Sequence, residues 1–502
     1  MPNINRRRFL QHSSVLAAAS FLPGCSDSSD QRSTRAIVIG SGFAGSVAAL
    51  RLAQAGIHTT VLERGRQWTV NGPDTFPTTT GFDRRSSWTI PPSGATDANP
   101  APYAGLLESV AGDVTVQCGA CVGGGSLVYG GVLFQPPRAT FETVFPYLSY
   151  DEMAARYYPR VIEQIGAAPI PDDVLASPTY TAHRTFIDDA GGAGFEVLKP
   201  TTSFDWDIIR REIAGEIPAA ASVGDYAFGN NSDAKLSTDK NYLRDAIATG
   251  HCTLQSLTEV EMIRELSPRG YAVVCRNITD EGELINRFEL HADYLFLAAG
   301  SMNTSKLLLK SQQAGELRGA NDRIGQGWGT NGDELLAQLH PGPVPGPQGG
   351  PACIAAIDWT DSNHPVAFMH SPVPFAIQLQ LGMSVPDTLG ALSYASENDA
   401  LGIHWPDDSG TPSGLARKAS FQRLLDQNGG SPAPFITGTI WHPLGGAVMN
   451  DACDRLGSLY GYKNLFVIDG ATLPGSAAAV NPALTVAANA ERIMEAVIPQ
   501  LW

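Results

Sequence analysis

The amino-acid sequence predicts an α/β fold, and three stretches of it carry the prediction. Residues 35–65 read as a short strand, a glycine-rich turn, a helix and a second strand. Residues 292–311 read as a buried strand, a turn of small residues and a helix, and residues 464–498 as a strand, a loop and a long helix. Apolar strands that alternate with helices in this way are typical of α/β proteins with a parallel sheet.

The strongest of these signals is the stretch 35–65, RAIVIGSGFAGSVAALRLAQAGIHTTVLERG. Its first strand is followed by Gly40, Gly42 and Gly45, which permit a tight turn, close approach of the backbone to a pyrophosphate, and close packing of helix on strand. The helix N-terminus then offers N–H groups to phosphates. Glu63 ends the second strand, where its carboxylate can accept hydrogen bonds from ribose. The stretch therefore predicts a Rossmann-like unit with a bound dinucleotide; Glu63 disfavours NADP but does not separate NAD from FAD.

A second glycine cluster lies in VGGGSLVYGGVL, residues 122–133. Five glycines remove side chains from one face of this segment, at a cost in backbone entropy. That cost is understandable if a flat ring system lies against the backbone. A glycine-rich surface loop is the alternative, but it would be expected to carry more polar residues than SLVYGG does.

Two short motifs near the C-terminus each allow a structural and a functional interpretation. In TIWHPLGG, residues 439–446, Pro443 favours an extended backbone at His442, which suits a catalytic base as well as an ordinary histidine at a strand end. Asn481 and Pro482 suit the cap and the first position of a helix. Such a helix, if it points at a flavin, stabilises the anion of the reduced ring, whereas a plain cap is the alternative for Asn481.

Composition and cysteine spacing limit the classes of ligand. Asp and Glu number 50 against 34 Lys and Arg, so the formal charge is −16, and a nucleic acid partner is disfavoured. Cys118 and Cys121 form CGAC, the spacing of a redox pair or of half a zinc site. Because no second CxxC or histidine cluster completes a metal site, the sequence predicts no metal and favours either a local disulfide or two packed thiols.

The first 25 residues, MPNINRRRFLQHSSVLAAASFLPGC, predict an export signal. Arg6, Arg7, Phe9 and Leu10 fit a twin-arginine signal, and the apolar stretch after them is shorter than the about 20 residues that span a bilayer. LPGC resembles a lipoprotein signal and predicts acylation of Cys25, with a disordered basic leader as the alternative. Residues 26–34 predict a polar linker. We thus expect a periplasmic, membrane-anchored or secreted protein.

Taken in order, the segments resemble the glucose-methanol-choline (GMC) oxidoreductases, and within them the bacterial cholesterol oxidases with non-covalent FAD. The resemblance runs from about residue 35 to residue 500. It rests on the first fingerprint and on VGGGSLVYGGVLFQPPRATFE, DKNYLRDAIATGHCTLQSL, YLFLAAGSMNTSKLLL, RIGQGWGTNGD, WHPLGG, GYKNLFVIDGATLPGS and VNPALTVAANAER.

This resemblance implies an α/β (α+β) fold with two domains, each built from discontinuous pieces. Residues 35–72, 236–312 and 440–502 would form the FAD-binding domain. Residues 73–235 and 313–439 would form a substrate domain with a mixed sheet and helices, from which residues 118–131 reach the FAD.

The chemistry that the resemblance implies is oxidation of a 3-hydroxysteroid, or of another bulky secondary alcohol, by hydride transfer to flavin N5, with O₂ as acceptor and H₂O₂ as product. His442 takes the hydroxyl proton, a role that suits a neutral imidazole, and Asn481 hydrogen-bonds the substrate oxygen or the flavin edge. The implied FAD-binding residues are Gly40, Gly42, Gly45, Glu63, Gly124, Gly125, Ser126, Gly130, Val260, Asp469, Asn481 and Pro482.

Two departures from the family pattern concern the substrate. Met369 stands about where cholesterol oxidases carry the glutamate that moves a proton during isomerisation of the steroid double bond, and only His370 lies nearby to replace it. Tyr129 stands where the family usually places an asparagine beside the flavin. We therefore expect Met369 and Tyr129 to contact substrate and isomerisation to be weak or absent.

Three other functions are compatible with parts of the sequence. A GMC dehydrogenase would oxidise another hydrophobic alcohol and pass electrons to an acceptor other than oxygen. A non-catalytic lipid-binding lipoprotein on the same scaffold would not need His442 and Asn481. A nicotinamide dehydrogenase ranks lowest, because it would not need the second glycine cluster.

Overall fold

A computed structural model describes residues 35–81, 83–88, 104–342, 344–435 and 438–501. The predicted export signal, the polar linker and Cys25 lie outside the described residues. The strands are β1 Ala36–Ile39, β2 Thr59–Leu62, β3 Leu107–Ala111, β4 Thr115–Gly119, β5 Val132–Leu133, β6 Glu196–Leu198, β7 Thr201–Thr202, β8 Cys252–Gln255, β9 Thr258–Glu265, β10 Tyr271–Ile278, β11 Leu284–Ala292, β12 Tyr294–Leu297, β13 Gln326–Trp328, β14 Glu334–Leu339, β15 Ala355–Asp358, β16 Val366–His370, β17 Gln378–Ser384, β18 Gly390–Ala395, β19 Ala400–His404, β20 Ser431–Ala433, β21 Thr439–Ile440 and β22 Leu465–Val467.

The α-helices are α1 Phe43–Gln54, α2 Gly125–Val128, α3 Arg138–Val144, α4 Tyr150–Glu152, α5 Tyr158–Ile165, α6 Asp172–Leu175, α7 Thr181–Gly192, α8 Trp206–Ile213, α9 Tyr242–Ala248, α10 Gly300–Gln313, α11 Pro412–Asn428 and α12 Ala483–Val497. A π-helical segment, Met153–Tyr157, joins α4 to α5. None of the helices in the described part of the chain combines the length and apolar character that a membrane span requires.

Five parallel strands form the central sheet, in the order β22-β12-β1-β2-β8. Alternate residues of β1 face opposite sides of it. Ala36 and Val38 pack on the side of α1, α9 and α12, whereas Ile37 and Ile39 pack against α10 and the antiparallel sheet β9-β10-β11. Because both faces are covered, the inner strands β1 and β12 carry apolar or aromatic residues throughout rather than alternating ones.

A second, six-stranded sheet has the order β20-β14-β17-β16-β15-β6. All of its neighbouring strands are antiparallel, so the expected mixed pairing is wrong for this sheet. Short connections join β15 to β16 and β16 to β17, and such connections link antiparallel neighbours. Mixed pairing occurs instead in the small sheet β21-β4-β3.

The parallel sheet determines where a ligand can bind. In open α/β sheets, ligands bind outside the carboxyl ends of the strands. One cavity of 470 Å³ is lined by the residues that directly follow β1, β2 and β12, which are Gly40, Glu63 and Ala298, and by Asp469 and Gly470, which lie two and three residues after β22. The face of the six-stranded sheet that carries Met369 and Leu381 contributes another wall of the same cavity.

Candidate active site

The turn between β1 and α1 packs too closely for side chains. A Cβ on Gly40 would lie 2.3 Å from the carbonyl oxygen of Ala298, and one on Gly45 would lie 2.0 Å from the carbonyl oxygen of Gly40. No side chain caps the N-terminus of α1 at Gly42, and Gly42, Phe43 and the residue after it line the cavity. The turn thus presents backbone amides to a ligand, as expected for a phosphate site.

Glu63 is a buried acceptor at the end of β2. Its Oε2 accepts hydrogen bonds from the backbone N–H of Ser41 at 3.0 Å and from the Ser41 hydroxyl at 2.6 Å, and its Oε1 accepts one from the N–H of Gly65 at 2.9 Å. Burial raises the pKa of the Glu63 carboxyl, and these hydrogen bonds oppose the rise. The bonds fix the carboxylate at the cavity wall.

The second glycine cluster packs directly on the first. Gly124 has φ +52°, and a Cβ there would lie 2.8 Å from the Cα of Gly42, whereas a Cβ on Gly125 would have no atom within 4 Å. Gly124, Gly125 and Gly130 line the cavity. The space beside Gly125 is therefore part of the cavity and can be occupied by a ligand.

Two predicted cofactor-binding residues do not line the cavity. The Ser126 hydroxyl donates to the carbonyl oxygen of Gly123 at 2.6 Å and accepts the N–H of Thr238 at 2.9 Å. Gly45 packs against the Gly40 carbonyl behind the turn. Neither residue is in the cavity lining, and the Ser126 hydroxyl is paired with Gly123 and Thr238. The predicted residues that do line the cavity are Gly40, Gly42, Glu63, Gly124, Gly125, Tyr129, Gly130, Val260, Met369, His442, Asp469, Asn481 and Pro482.

His442 is held from one side by Asp333, which the sequence interpretation missed. Nδ1 of His442 lies 2.8 Å from Oδ1 of Asp333, and Oδ2 of Asp333 accepts the backbone N–H groups of Trp441 and His442, each at 2.9 Å. The Asp333 side chain is fully buried. His442 itself lines the cavity, so its second ring nitrogen is available to a ligand.

Asn481 faces His442 rather than capping a helix. Helix α12 begins at Ala483 after Pro482, and no side chain caps it, so the plain-cap interpretation is wrong. Nδ2 of Asn481 lies 3.5 Å from Nε2 of His442. Oδ1 of Asn481 is buried without a protein partner, which leaves a polar group free to meet a ligand.

Asn331 is a second residue that the sequence interpretation missed. Its amide donates to the carbonyl oxygen of Val480 at 2.9 Å and accepts the N–H of Ala477 at 2.8 Å. These bonds hold the loop before Asn481, in which Ala478 and Ala479 have left-handed φ values of +64° and +62°. Non-glycine residues adopt such φ values at a cost that surrounding contacts must offset. The only sequence signal for Asn331 and Asp333 was their place within GWGTNGD.

Asp469 is satisfied by the protein. Its Oδ2 accepts the N–H of Gly300 at 2.8 Å and the hydroxyl of Thr304 at 2.6 Å, and its Oδ1 accepts the N–H of Ala471 at 2.9 Å. Burial raises the pKa of the carboxyl. Asp469 thereby joins the start of α10 to the segment after β22 at the cavity wall.

The two departures from the family pattern both lie at the cavity. Met369 is buried in its wall, while the next residue, His370, points to the opposite face of β16 and packs against Phe186 and His183. Strand alternation therefore excludes His370 from the cavity. Tyr129 donates to, or accepts from, the hydroxyl of Ser203, and burial raises the pKa of Tyr129.

Neither a disulfide nor a metal cluster accompanies the CGAC motif. Cys118 and Cys121 are free thiols, so the disulfide alternative is wrong, and burial raises the pKa of both. The described residues contain no group of three or more His, Cys, Asp or Glu side chains that could hold a metal ion.

Comparison with known proteins identifies the family. The family model for GMC oxidoreductases matches residues 35–327, and a second model of the same description matches residues 422–490. The chain belongs to the GMC oxidoreductase family. As a member of this family, it is an FAD-dependent alcohol oxidoreductase.

Relatives within the GMC family include two cholesterol oxidases. The one from Mycobacterium tuberculosis (strain ATCC 25618 / H37Rv) is 27% identical, with 91% of this chain and 89% of the relative covered. The one from Acinetobacter baumannii is 23% identical, with 91% and 93% covered. Solved structures similar to this one include pyridoxine 4-oxidase from Mesorbium loti, with a TM-score of 0.66 and 16% identity, and a fungal aryl-alcohol oxidase, with a TM-score of 0.63 and 14% identity. Each of these two matches covers 93% of this chain and 99% of the chain in the solved structure. The similarity establishes the GMC fold.

The cavity fits FAD on three observations. The uncapped N-terminus of α1 lines it and offers amides to a pyrophosphate. Gly125 leaves a space beside the backbone that no protein atom fills. Asn481 carries a buried oxygen without a protein partner. Glu63 would accept hydrogen bonds from the ribose, and the two glycine clusters would contact the diphosphate and the ring system. The start of α12 would face the end of the ring that becomes negative on reduction.

Proposed function

We propose that this GMC oxidoreductase oxidises a 3-hydroxysteroid, or a similarly bulky secondary alcohol, to the ketone and uses O₂ as electron acceptor, with H₂O₂ as product. The observation that carries the proposal is the pairing of His442 with Asn481 at the cavity, with Asp333 behind the imidazole. A base and a hydrogen-bond donor at one point are what the oxidation of a hydroxyl group requires.

The roles of the two residues follow from their atoms. Nε2 of His442 takes the hydroxyl proton as the alcohol is oxidised, and the amide of Asn481 donates to the same oxygen and orients it. FAD, when bound, supplies the acceptor for the hydride that leaves the carbinol carbon. The imidazole then carries the proton that must be released before the next turnover.

The wall beside these residues supports a bulky apolar substrate. Part of the cavity is lined by Val132, Leu335, Ala352, Met369 and Leu381, which we call the apolar wall. None of these five side chains is a carboxylate. Because moving a proton between two carbons needs a group that accepts and returns it, we propose that the ketone leaves without isomerisation, or isomerises only slowly. The similarity to cholesterol oxidases adds support for a sterol.

The test uses the purified holoprotein with cholesterol and a panel of 3-hydroxysteroids, and with an aryl alcohol and pyridoxine as small-alcohol controls. We expect sterols to bleach the flavin without oxygen, and peroxide to appear when air is admitted. Bleaching by the small alcohols alone would overturn the sterol assignment. Bleaching without later peroxide would overturn O₂ as acceptor and indicate a dehydrogenase.

We also propose that the protein is exported by a twin-arginine signal and anchored through acylated Cys25. The support is sequence alone, in Arg6, Arg7 and the LPGC motif. Replacing Arg6 and Arg7 together with Lys should retain the protein in the cytoplasm, and Cys25→Ala should move it from the membrane fraction to the soluble one. Unchanged fractionation of either variant would contradict the corresponding step.

A further inference from the structure

We infer that Asp333 is a positioning residue that fixes the tautomer of His442, with the proton on Nδ1 and the lone pair on Nε2. The inference rests on the proposed role of His442 as the base. Its basis is the convergence of three nitrogen atoms on one buried carboxylate, those of the Trp441 backbone, the His442 backbone and the His442 ring.

The backbone contacts, together with an ionised carboxylate at Asp333, assign the donor in this contact. The two backbone N–H groups can only donate, so Oδ2 of Asp333 must accept both. An ionised carboxylate is an acceptor at both oxygens. Nδ1 of His442, at 2.8 Å from Oδ1, must therefore carry the hydrogen of that bond. Nε2 is then unprotonated and can receive a proton.

The other side of the ring agrees with this assignment. Nδ2 of Asn481, which can only donate, lies 3.5 Å from Nε2 of His442. A ring with its proton on Nε2 would place two donors against each other. The carboxylate also stabilises the imidazolium that forms when Nε2 takes the hydroxyl proton, as buried charge-assisted hydrogen bonds do.

The test is Asp333→Asn, which keeps the shape but changes which atoms donate. The two backbone N–H groups require the amide oxygen, so the new NH₂ group faces Nδ1 and displaces the ring proton to Nε2. We expect kcat to fall by about 100-fold or more with little change in KM, because an equivalent substitution in a Ser-His-Asp triad acts through the tautomer.

A spectroscopic readout separates positioning from a general structural effect. Nitrogen-15 spectra of the holoprotein with labelled histidine report which ring nitrogen carries the proton, and His442→Gln assigns the resonances. We expect Nδ1–H in the native protein and Nε2–H in Asp333→Asn. The matched control is Asp205→Asn, because Asp205 also accepts two backbone N–H groups, at 2.9 and 3.2 Å, at the start of α8. That variant should change neither the spectrum of His442 nor kcat.

The outcomes are distinguishable from those of the proposed function. A native spectrum with the proton on Nε2 overturns the inference, and this measurement does not depend on the folding of Asp333→Asn. A native tautomer and native kcat in Asp333→Asn overturn it as well. Failure of every alcohol to bleach the flavin would instead overturn the proposed function, and the tautomer would still be measurable.

Discussion

The cavity has a nucleotide part, with Glu63 and Asp469, and a catalytic part, with His442 and Asn481. The polar side chains of the two parts differ in how many hydrogen bonds they make within the protein. In the nucleotide part, the carboxylates of Glu63 and Asp469 each accept three hydrogen bonds from the protein. In the catalytic part, Asn481 Oδ1 has no protein partner and Nε2 of His442 has only a long contact. A buried polar atom without a partner costs about 1–3 kcal/mol. We infer that the polar groups of the nucleotide part are already paired within the protein, whereas those of the catalytic part remain available to the reacting molecules.

The largest effect should come from the catalytic part. His442→Ala removes the base, and we expect the rate of flavin reduction by substrate to fall about 1000-fold, in the range of general base catalysis. FAD content should be unchanged, because Glu63 and the glycine clusters remain. Stopped-flow reduction without oxygen measures the rate, and the absorbance of the bound flavin measures the content.

The matched control for that experiment is His404→Ala, which removes an imidazole at the end of β19 that contacts Ser393. It should reduce flavin at the native rate. A native rate in His442→Ala would mean that another group accepts the hydroxyl proton, and the division between the two parts of the cavity would then be wrong.

Two glycines of the nucleotide part should respond differently to the same added methyl group. Gly125→Ala places it in the open space of the cavity, so FAD affinity should fall about tenfold, or 1.4 kcal/mol, while the apoprotein keeps its stability. Gly45→Ala places it 2.0 Å from the Gly40 carbonyl oxygen, so the apoprotein should lose about 1–3 kcal/mol, as overpacked cores do. Flavin titration and thermal unfolding of the apoprotein measure these effects. Equal loss of stability in both variants would show that Gly125 is part of the packing.

The same division explains what the sequence could predict. The nucleotide part is built on contiguous segments with their own physical signature, so Gly40, Gly42 and Glu63 were identified from local spacing and line the cavity. The strands within residues 35–65, 292–311 and 464–498 were likewise predicted from their apolar residues. Patterns of neighbouring residues are enough to predict this part of the site because the residues that form it are close in sequence.

The catalytic part could not be derived in this way, because it joins segments that are distant in sequence. Asp333 lies 109 residues from the imidazole that it holds, and no local pattern encodes such a contact. The dipeptide Asn481-Pro482 matched a helix start, but α12 begins after it and the side chain of Asn481 turns to His442. The partners of the Ser126 hydroxyl likewise include a distant residue, Thr238, which the local sequence does not indicate.

A smaller effect is expected from a carboxylate placed in the apolar wall. Met369→Glu should raise the rate at which the 5-ene-3-one becomes the conjugated ketone by about tenfold, because the new group can accept and return the proton. Met369→Gln is the matched control, with similar size and no such capacity. The ultraviolet absorbance of the conjugated product measures the rate. A native protein that isomerises its ketone as fast as it oxidises the alcohol would contradict the role proposed for Met369.

A further effect concerns the side of β16 opposite the cavity, where the buried imidazoles of His183, on α7, and His370 have no task in the reaction. Burial, with a smaller contribution from the charge of Arg184, lowers the pKa of His183 to about 3. Burial and the proximity of His183 lower the pKa of His370 well below its ordinary value. Both imidazoles are therefore neutral in the folded protein at pH values where the unfolded chain protonates them.

The sign of the resulting pH dependence follows from proton binding. Between about pH 6.5 and pH 3 the unfolded chain binds more protons than the folded one, so the free energy of unfolding falls as pH falls, by up to about 1.4 kcal/mol per pH unit for each histidine. Urea unfolding at several pH values in that window should show a smaller slope in His183→Gln, and the same slope as the native protein in His291→Gln, whose side chain is exposed. An unchanged slope in His183→Gln would mean that His183 is protonated in the folded protein. The packing between α7 and the far face of β16 would then have to stabilise a buried charge on His183, in contact with the ring of His370.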